Sequence, residues 1–342
     1  MQNYIKIKQL KEILSISYKL KQTPFLWGNP GIGKSQAVAQ FAAENNLILL
    51  DIRLALKDPT DLQGLPTFID TQDGKKTTWT IPDFLPTDPN WKGIVFLDEF
   101  NLAQPAVMSA CYQLINERKI NNYTLPEGAF IVAAGNPSNS SGNVTELPQA
   151  LKNRFNHFYI EPDLDEWISW AITQNISLDV QTFLKTQRPE LFFDEKAFEN
   201  EANEFATPRT WEKVSNILKL GLPDEVLRNY ISGLIGLGAT AHFINYLNDK
   251  NKYQNPEDIY IRNKSFVADD INSYYGTLIA AINNIAKSNE DEDTKKQYVS
   301  NLINQIDLLK SNEWKVFSAS LLTHTEGIKK LISAKDLMKI LK

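Results

Sequence analysis

The sequence has a single cysteine, Cys111, and only three histidines, His157, His242 and His324, spread over 342 residues. A disulfide framework within the chain and a cysteine-based zinc site are both excluded, and histidines so far apart give no metal-ligand spacing. Cys111 falls in an apolar helical stretch with Val107, Leu114 and Ile115 and reads as a small core residue. There is no excess of positive charge either: the formal net charge is -5, which does not advertise a nucleic-acid surface. The cationic clusters Lys75–Lys76 and Lys329–Lys330 are small and read as solvated faces. Long apolar runs are missing as well. After Met1-Gln2-Asn3-Tyr4 comes a lysine-rich amphipathic stretch, with no signal core and no membrane-spanning segment, so a cytoplasmic protein is expected. On that expectation the sequons at Asn139 and Asn143 are silent. What remains is ordinary globular composition, 42% hydrophobic and 23% charged, in a chain long enough for two or three domains.

Apolar spacing predicts a helix over residues 4–20, through Ile7, Leu10, Ile13, Leu14 and Tyr18. Short apolar strands follow at Thr23–Trp27, Leu47–Ile52, Ile94–Leu97, Phe130–Ala134 and His157–Ile160. Helices are expected at about Gly33–Asn45 and Gln104–Glu117, and the proline- and glycine-rich Asp58–Trp91 reads as loops with a short hairpin. Continuous apolar strands alternating with helices argue an α/β fold with a parallel sheet covered on both faces, a three-layer αβα arrangement. Beyond Pro162 only helices are expected: Asp165–Thr173, Asp179–Thr186, Glu195–Phe205, Thr210–Leu220 and Asp224–Asn245. A polar stretch, Asn248–Asn263, reads as a linker before two or three further helices, which are separated by an acidic run starting at Asn289. The expected division is 1–161, 162–248 and 249–342. In the last region Tyr274, Tyr275, Leu278, Ile282 and Ile285 have core spacing.

Two motifs carry chemistry. Gly28-Asn29-Pro30-Gly31-Ile32-Gly33-Lys34-Ser35 fits G-x-x-x-x-G-K-[ST] and lies between a strand and the helix that starts near Gly33, with Gln36 the last candidate of the nucleotide site. Glycines let successive N–H groups curl around phosphate oxygens, and the helix adds its positive end. Lys34 is expected to reach the β- and γ-phosphates of ATP, and Ser35 to give its hydroxyl to Mg2+. About 65 residues later the apolar run Ile94–Leu97 ends in Asp98-Glu99, a second phosphate-site signature. Asp98 is expected to hold magnesium, and Glu99 to polarise the attacking water. Glu99 favours hydrolysis over mere binding.

The order of P-loop, Asp-Glu, strand-Asn-Pro, Asn-Arg-Phe and Pro-Arg resembles the AAA+ ATPases over roughly residues 5–220. Within them it looks most like the MoxR-like group of the helix-2-insert branch, which also holds dynein-related ATPases. The resemblance implies an AAA+ αβα domain, a helical lid and extra C-terminal helices. It makes Asn136, in Ala133-Ala-Gly-Asn136-Pro137, sensor 1 holding the lytic water, where an Asn-Pro turn is the plainer reading. It makes Arg154, in Leu151-Lys-Asn-Arg154-Phe155, an arginine finger reaching a neighbouring subunit's ATP. Arg209, after Pro208, becomes sensor 2 at the start of a lid helix, acting in cis or in trans. Asp58–Gly64 resembles the opening of the family's insert. Trp79, Ile81 and Phe84 then either face a pore and touch a client or pack the insert down. Arg118 is either an interface arginine or a solvated helix end. The family's sensor 1 usually stands in Thr-Gln-Asn-Pro, a departure that leaves the subfamily and client open.

A finger acting in trans implies a head-to-tail interface, which closes into a ring or winds into a helix; a hexamer is expected with nucleotide bound. The resemblance further implies a remodelling ATPase with a protein client and a separate von Willebrand factor A (VWA) domain partner, since this chain has no Asp-x-Ser-x-Ser site. A nucleic-acid motor or restriction-type translocase is the alternative, opposed by the acidic balance. A non-catalytic assembly module is opposed by Glu99, Asn136 and Arg154 together.

Overall fold

The computed structural model describes residues 4–137, 145–249, 254–268 and 271–341. The sequons at Asn139 and Asn143 lie outside the described residues. The chain divides into two compact units, 1–162 and 163–342.

The first unit is an α/β layer structure. In chain order it holds β1 (Tyr4–Ile5), α1 (Ile7–Leu20), β2 (Pro24–Trp27), α2 (Lys34–Glu44), β3 (Ile48–Arg53), α3 (Pro59–Gln63), β4 (Pro66–Thr71) and β5 (Gly74–Trp79). There follow β6 (Lys92–Asp98), α4 (Pro105–Glu117), β7 (Lys119–Ile120), β8 (Tyr123–Thr124), β9 (Gly128–Gly135), α5 (Gln149–Lys152) and β10 (Asn156–Ile160). Six strands form one sheet in the order β1-β10-β2-β9-β6-β3, every pairing parallel. The five expected strands are all in it. The sixth, β1, is only two residues long, too short for any apolar period to register. The Ile94–Leu97 and Phe130–Ala134 stretches are buried throughout, as central parallel strands require. A β4–β5 hairpin and the small β7–β8 hairpin stand apart from the main sheet.

One core cluster joins the sheet to α4: Phe25, Val95, Leu97, Phe100, Val107, Met108, Cys111, Leu114 and Phe155 all belong to it. Cys111 is the buried core residue its neighbours suggested. His157 is satisfied structurally: Nδ1 accepts from Trp27 Nε1–H at 2.8 Å, and Nε2 faces Lys152 O at 2.8 Å, which fixes the Nε2–H tautomer.

The second unit is helical in every described element: α6 (Leu164–Thr173), α7 (Leu178–Thr186), α8 (Glu195–Glu199), α9 (Pro208–Leu218), α10 (Asp224–Asp249), α11 (Pro256–Tyr260), α12 (Ile271–Lys287), α13 (Glu292–Asp307), α14 (Asn312–His324), α15 (Glu326–Lys329) and α16 (Ala334–Ile340). Among the described residues two clusters hold it. Trp211, Phe183 and Phe243 anchor one, with α7, α9 and α10; Tyr274, Leu278, Ile282, Ile303 and Leu322 anchor the other, with α12, α13 and α14. Three expectations need correcting. The helix from Glu195 ends at Glu199, where the chain turns through Glu201 at φ 54°. Helix α10 is broken at Gly236, φ 80° and ψ 161°. After the polar stretch come five helices beyond α11, because α15 and α16 are too short to show a period.

Candidate functional site

Strands β2, β6 and β9 are neighbours in the sheet, so their carboxyl ends open onto one rim, the usual place for a ligand in an open parallel sheet. Everything the P-loop reading requires converges there. After Trp27 the chain leaves the sheet, with Gly28 N–H still donating to Gly135 O at 3.3 Å. It then turns through Gly31 and Gly33 at φ 81° and 103°, conformations that an L side chain resists. Gly33 is the N-cap of α2, so the amides of the first helical turn lie at the end of the loop.

Lys34 is buried, 8% exposed. Its Nζ donates to Gly28 O at 2.6 Å, Asn29 O at 3.1 Å and Asn136 Oδ1 at 3.3 Å. The loop lysine and the β9-end amide are thus in contact. Ser35 Oγ donates to Asp98 Oδ2 at 2.7 Å, joining α2 to the end of β6. Asp98 Oδ1 accepts the N–H of Glu99 at 2.8 Å. Glu99 itself adopts φ 54°, a left-handed turn that is uncommon for a non-glycine residue and concentrates at functional sites.

A hydroxyl and a carboxylate 2.7 Å apart are hard oxygen donors of the kind magnesium takes. Among the described residues no three His, Cys, Asp or Glu side chains gather into a metal cage. An ion at Ser35 and Asp98 would therefore draw its other oxygens from phosphate and water, the usual arrangement for magnesium. On the edge strand β3, Arg53 lies opposite Asp98 in register and Asp51 opposite Phe96. Burial holds the Asp51 carboxyl above its ordinary range, and the Asp98 charge adds to that, with Arg53 opposing.

Asn101 is a residue beside the candidate site that the sequence did not single out. It is buried, 1% exposed. Its Oδ1 accepts Asn136 N–H at 3.0 Å and its Nδ2 donates to Asn136 O at 2.7 Å. A Cβ on Gly135 would lie 2.5 Å from that Oδ1, so the small residue before Asn136 is what lets the amide in. The only signal was an amide two residues past Asp98-Glu99, which resembles any turn residue.

The remaining candidates lie elsewhere. Asn29, Pro30, Ile32 and Gln36 belong to the loop and the first turn of α2; of these Ile32 is buried and Gln36 exposed. Arg154 is exposed and tied to α4: Nε donates to Asn116 Oδ1 at 2.8 Å, and the guanidinium lies 5.0 Å over the Tyr112 ring. Arg209 is exposed at the start of α9 in the second unit, behind the Thr207 cap and Pro208. Arg118 is no solvated helix end. It is half-buried, and Nη2 donates to Pro126 O at 2.9 Å and Ala129 O at 2.8 Å. Burial lowers its pKa, with Glu127 opposing. In the insert, Phe84 packs on the core and Trp79 is half-buried, while Ile81 is exposed; Phe68, 72% exposed, and Ile69 on β4 are what the hairpin presents.

Residues 24–157 match the family described as "ATPase family associated with various cellular activities (AAA)". Similar solved structures include a RuvB mutant of Thermotoga maritima, 17% identical over 76% of this chain and 77% of that chain, TM-score 0.39. A Cytophaga hutchinsonii chain assigned as an ATPase is 17% identical over 98% and 88%, TM-score 0.35. Brucella abortus NtrX in complex with ATP is 11% identical over 86% and 64%, TM-score 0.42. With the matched segment spanning the P-loop, Asp98-Glu99 and Asn136, the first unit is an AAA+ P-loop domain, and the chain is an ATPase working on ATP with magnesium.

Proposed function

We propose that the chain is a ring-forming, MoxR-like ATPase that remodels or activates a protein client, together with a separate VWA-domain partner. The observation that carries the hydrolytic part is the joining of three strand ends around one lysine and one serine: Lys34 to Asn136, and Ser35 to Asp98. In this reading the P-loop amides and Lys34 hold the β- and γ-phosphates, and Ser35 and Asp98 would hold magnesium, which would supply charge neutralisation at the γ-phosphate. Glu99 takes a proton from the attacking water and Asn136 orients that water. The Lys34–Asn136 contact lets one phosphate engage both groups.

Arg154 supports the ring. An exposed arginine braced by an amide and an aromatic ring is pre-ordered for a phosphate outside its own subunit. Arg209 serves as sensor 2, in cis or in trans. The β4–β5 hairpin, with Phe68 and Ile69 exposed, supplies the client contact in place of Phe84.

The test is a Glu99→Gln protein held in ATP and magnesium. Hydrolysis is expected to fall by roughly 10²–10³ with ATP binding retained. Mass measurement is expected to show a nucleotide-dependent oligomer, and affinity capture a VWA-domain protein or an enzyme complex retained only with ATP. Wild-type turnover in this variant removes Glu99 from its role. Retention of nuclease-sensitive material instead replaces the client reading with a nucleic-acid motor.

A further inference from the structure

Among the described residues of the first unit, the buried polar side chains are Ser17, Lys34 and Asn101. Lys34 serves the phosphate loop. Asn101 serves something else, because three segments meet on it. It lies in the turn that carries Glu99. Its side chain clamps the backbone of Asn136 with two bonds, and its own carbonyl accepts Thr145 N–H at 2.8 Å. Thr145 begins the segment that runs through α5 to Arg154. The same turn leads into α4, whose Tyr112 and Asn116 brace Arg154 from the other side. Arg154 therefore hangs from two supports, and both start at the turn after Asp98.

We infer that Asn101 is a positioning residue that ties the Arg154 segment to the hydrolysis turn of its own subunit, so that Arg154 is aimed at a neighbour's nucleotide only while Glu99 and Asn136 are in place. The inference rests on the proposed ring in which Arg154 acts in trans. A two-bond clamp has little slack: a hydrogen bond weakens steeply once its distance or angle leaves a narrow range. The side-chain clamp fixes the Glu99 turn against Asn136, whereas Thr145 is held by the Asn101 main-chain carbonyl, so a substitution at 101 reaches the Arg154 segment only by releasing the turn that carries that carbonyl. Two discrete arrangements of one packed element are what coupling between sites requires.

Mixed subunits test this directly. A Glu99→Gln subunit has a silent site and an intact Arg154; an Arg154→Ala subunit has an intact site and no finger. Mixed, they recover turnover only where the second receives Arg154 from the first. Asn101→Ala, or the isosteric Asn101→Asp, which keeps the acceptor and loses the Nδ2 donor, is added to the Glu99→Gln subunit alone. Recovered turnover is expected to fall about tenfold. Binding of a fluorescent ATP analogue to the altered subunit is expected to stay within about twofold, since no nucleotide contact is removed. Undiminished recovery with both Asn101 variants overturns the inference and leaves the ATPase reading standing. Loss of nucleotide binding in both variants overturns it as well, by making Asn101 a support of its own fold. No recovery in the parent mixture removes the trans role of Arg154, and the inference with it.

Discussion

The two units treat buried polar groups differently. In the first, Lys34 and Asn101 are buried and engaged, each bonded to a backbone or side chain at the strand ends. In the second, Gln181 Oε1, Thr182 Oγ1, Asn283 Oδ1 and Gln305 Oε1 are buried without a hydrogen-bond partner, and among the described residues these four are the whole set for the chain. A buried polar atom left unpaired costs about 1–3 kcal/mol. Apart from Ser17 on α1, the buried polar side chains described in the sheet unit, Lys34 and Asn101, stand at one site. The helical unit tolerates polarity within cores dominated by aromatic and aliphatic packing. Buried polarity at the strand ends is thus engaged, whereas in the helical unit four buried side chains leave an atom unpaired.

The largest expected effect that separates the units is Trp211→Ala. Trp211 is fully buried against Phe183 and Phe243, and its Nε1–H donates to Leu191 O at 2.6 Å. Urea titration should show a loss of about 3–5 kcal/mol. A loss below about 1 kcal/mol would show that the aromatic cluster does not hold the second unit as stated. Lys34→Ala is the mirror case: turnover should drop by roughly 10²–10³ with little change in the urea midpoint, measured by phosphate release beside the same titration. A large midpoint shift there would make Lys34 a structural residue first.

Arg118→Ala should cost about 1–3 kcal/mol, because the Pro126 and Ala129 carbonyls lose their donor. If stability holds and only subunit assembly fails, the arginine belongs to an interface after all. Alkaline titration ranks the units again. Burial raises the phenol pKa of Tyr123 to about 12 in the first unit; in the second it raises Tyr275 to about 12 and moves Tyr260 and Tyr274 up as well. A raised folded pKa means the folded state holds its proton more tightly. That stabilisation is complete below an unfolded tyrosine's pKa of about 10 and is lost as pH climbs toward 12. Tyrosinate absorbance beside circular dichroism should show helix loss starting above pH ~10, with the second unit leading. The smallest effect is expected from Thr182→Val, neutral or stabilising by up to about 1 kcal/mol, since it removes a fully buried hydroxyl without a partner. A clear loss of stability in thermal melts would mean that the hydroxyl is engaged.

Much of the first unit was legible because its signals are local. A P-loop is eight contiguous residues, and Ile94–Leu97 followed by Asp98-Glu99 states both burial and function in one run. The family resemblance put names on Asn136, Arg154 and Arg209, and the structure brings Asn136 to Lys34 while bracing Arg154 on α4. What escaped was non-local. Asn101 matters through a partner 35 residues away, and Arg118 through the carbonyls of Pro126 and of Ala129 at the start of β9, which only the folded chain brings to it. Strand β1 and helices α15 and α16 are too short for periodicity to register. The break at Gly236 is one glycine among several, with nothing in the sequence to single it out.

The solitary thiol has a practical consequence. Cys111 is 1% exposed in the first unit's core, and burial pushes its pKa to about 12, so it stays protonated and unreactive near neutral pH. Nature has in effect supplied a background-free chassis for site-directed labelling. A cysteine placed at exposed Phe68 on the hairpin and another at exposed Leu237 on α10 would be the only thiols open to a dye. The separation of the two units could then be followed through a catalytic cycle, in single molecules, without first removing anything from the wild-type sequence.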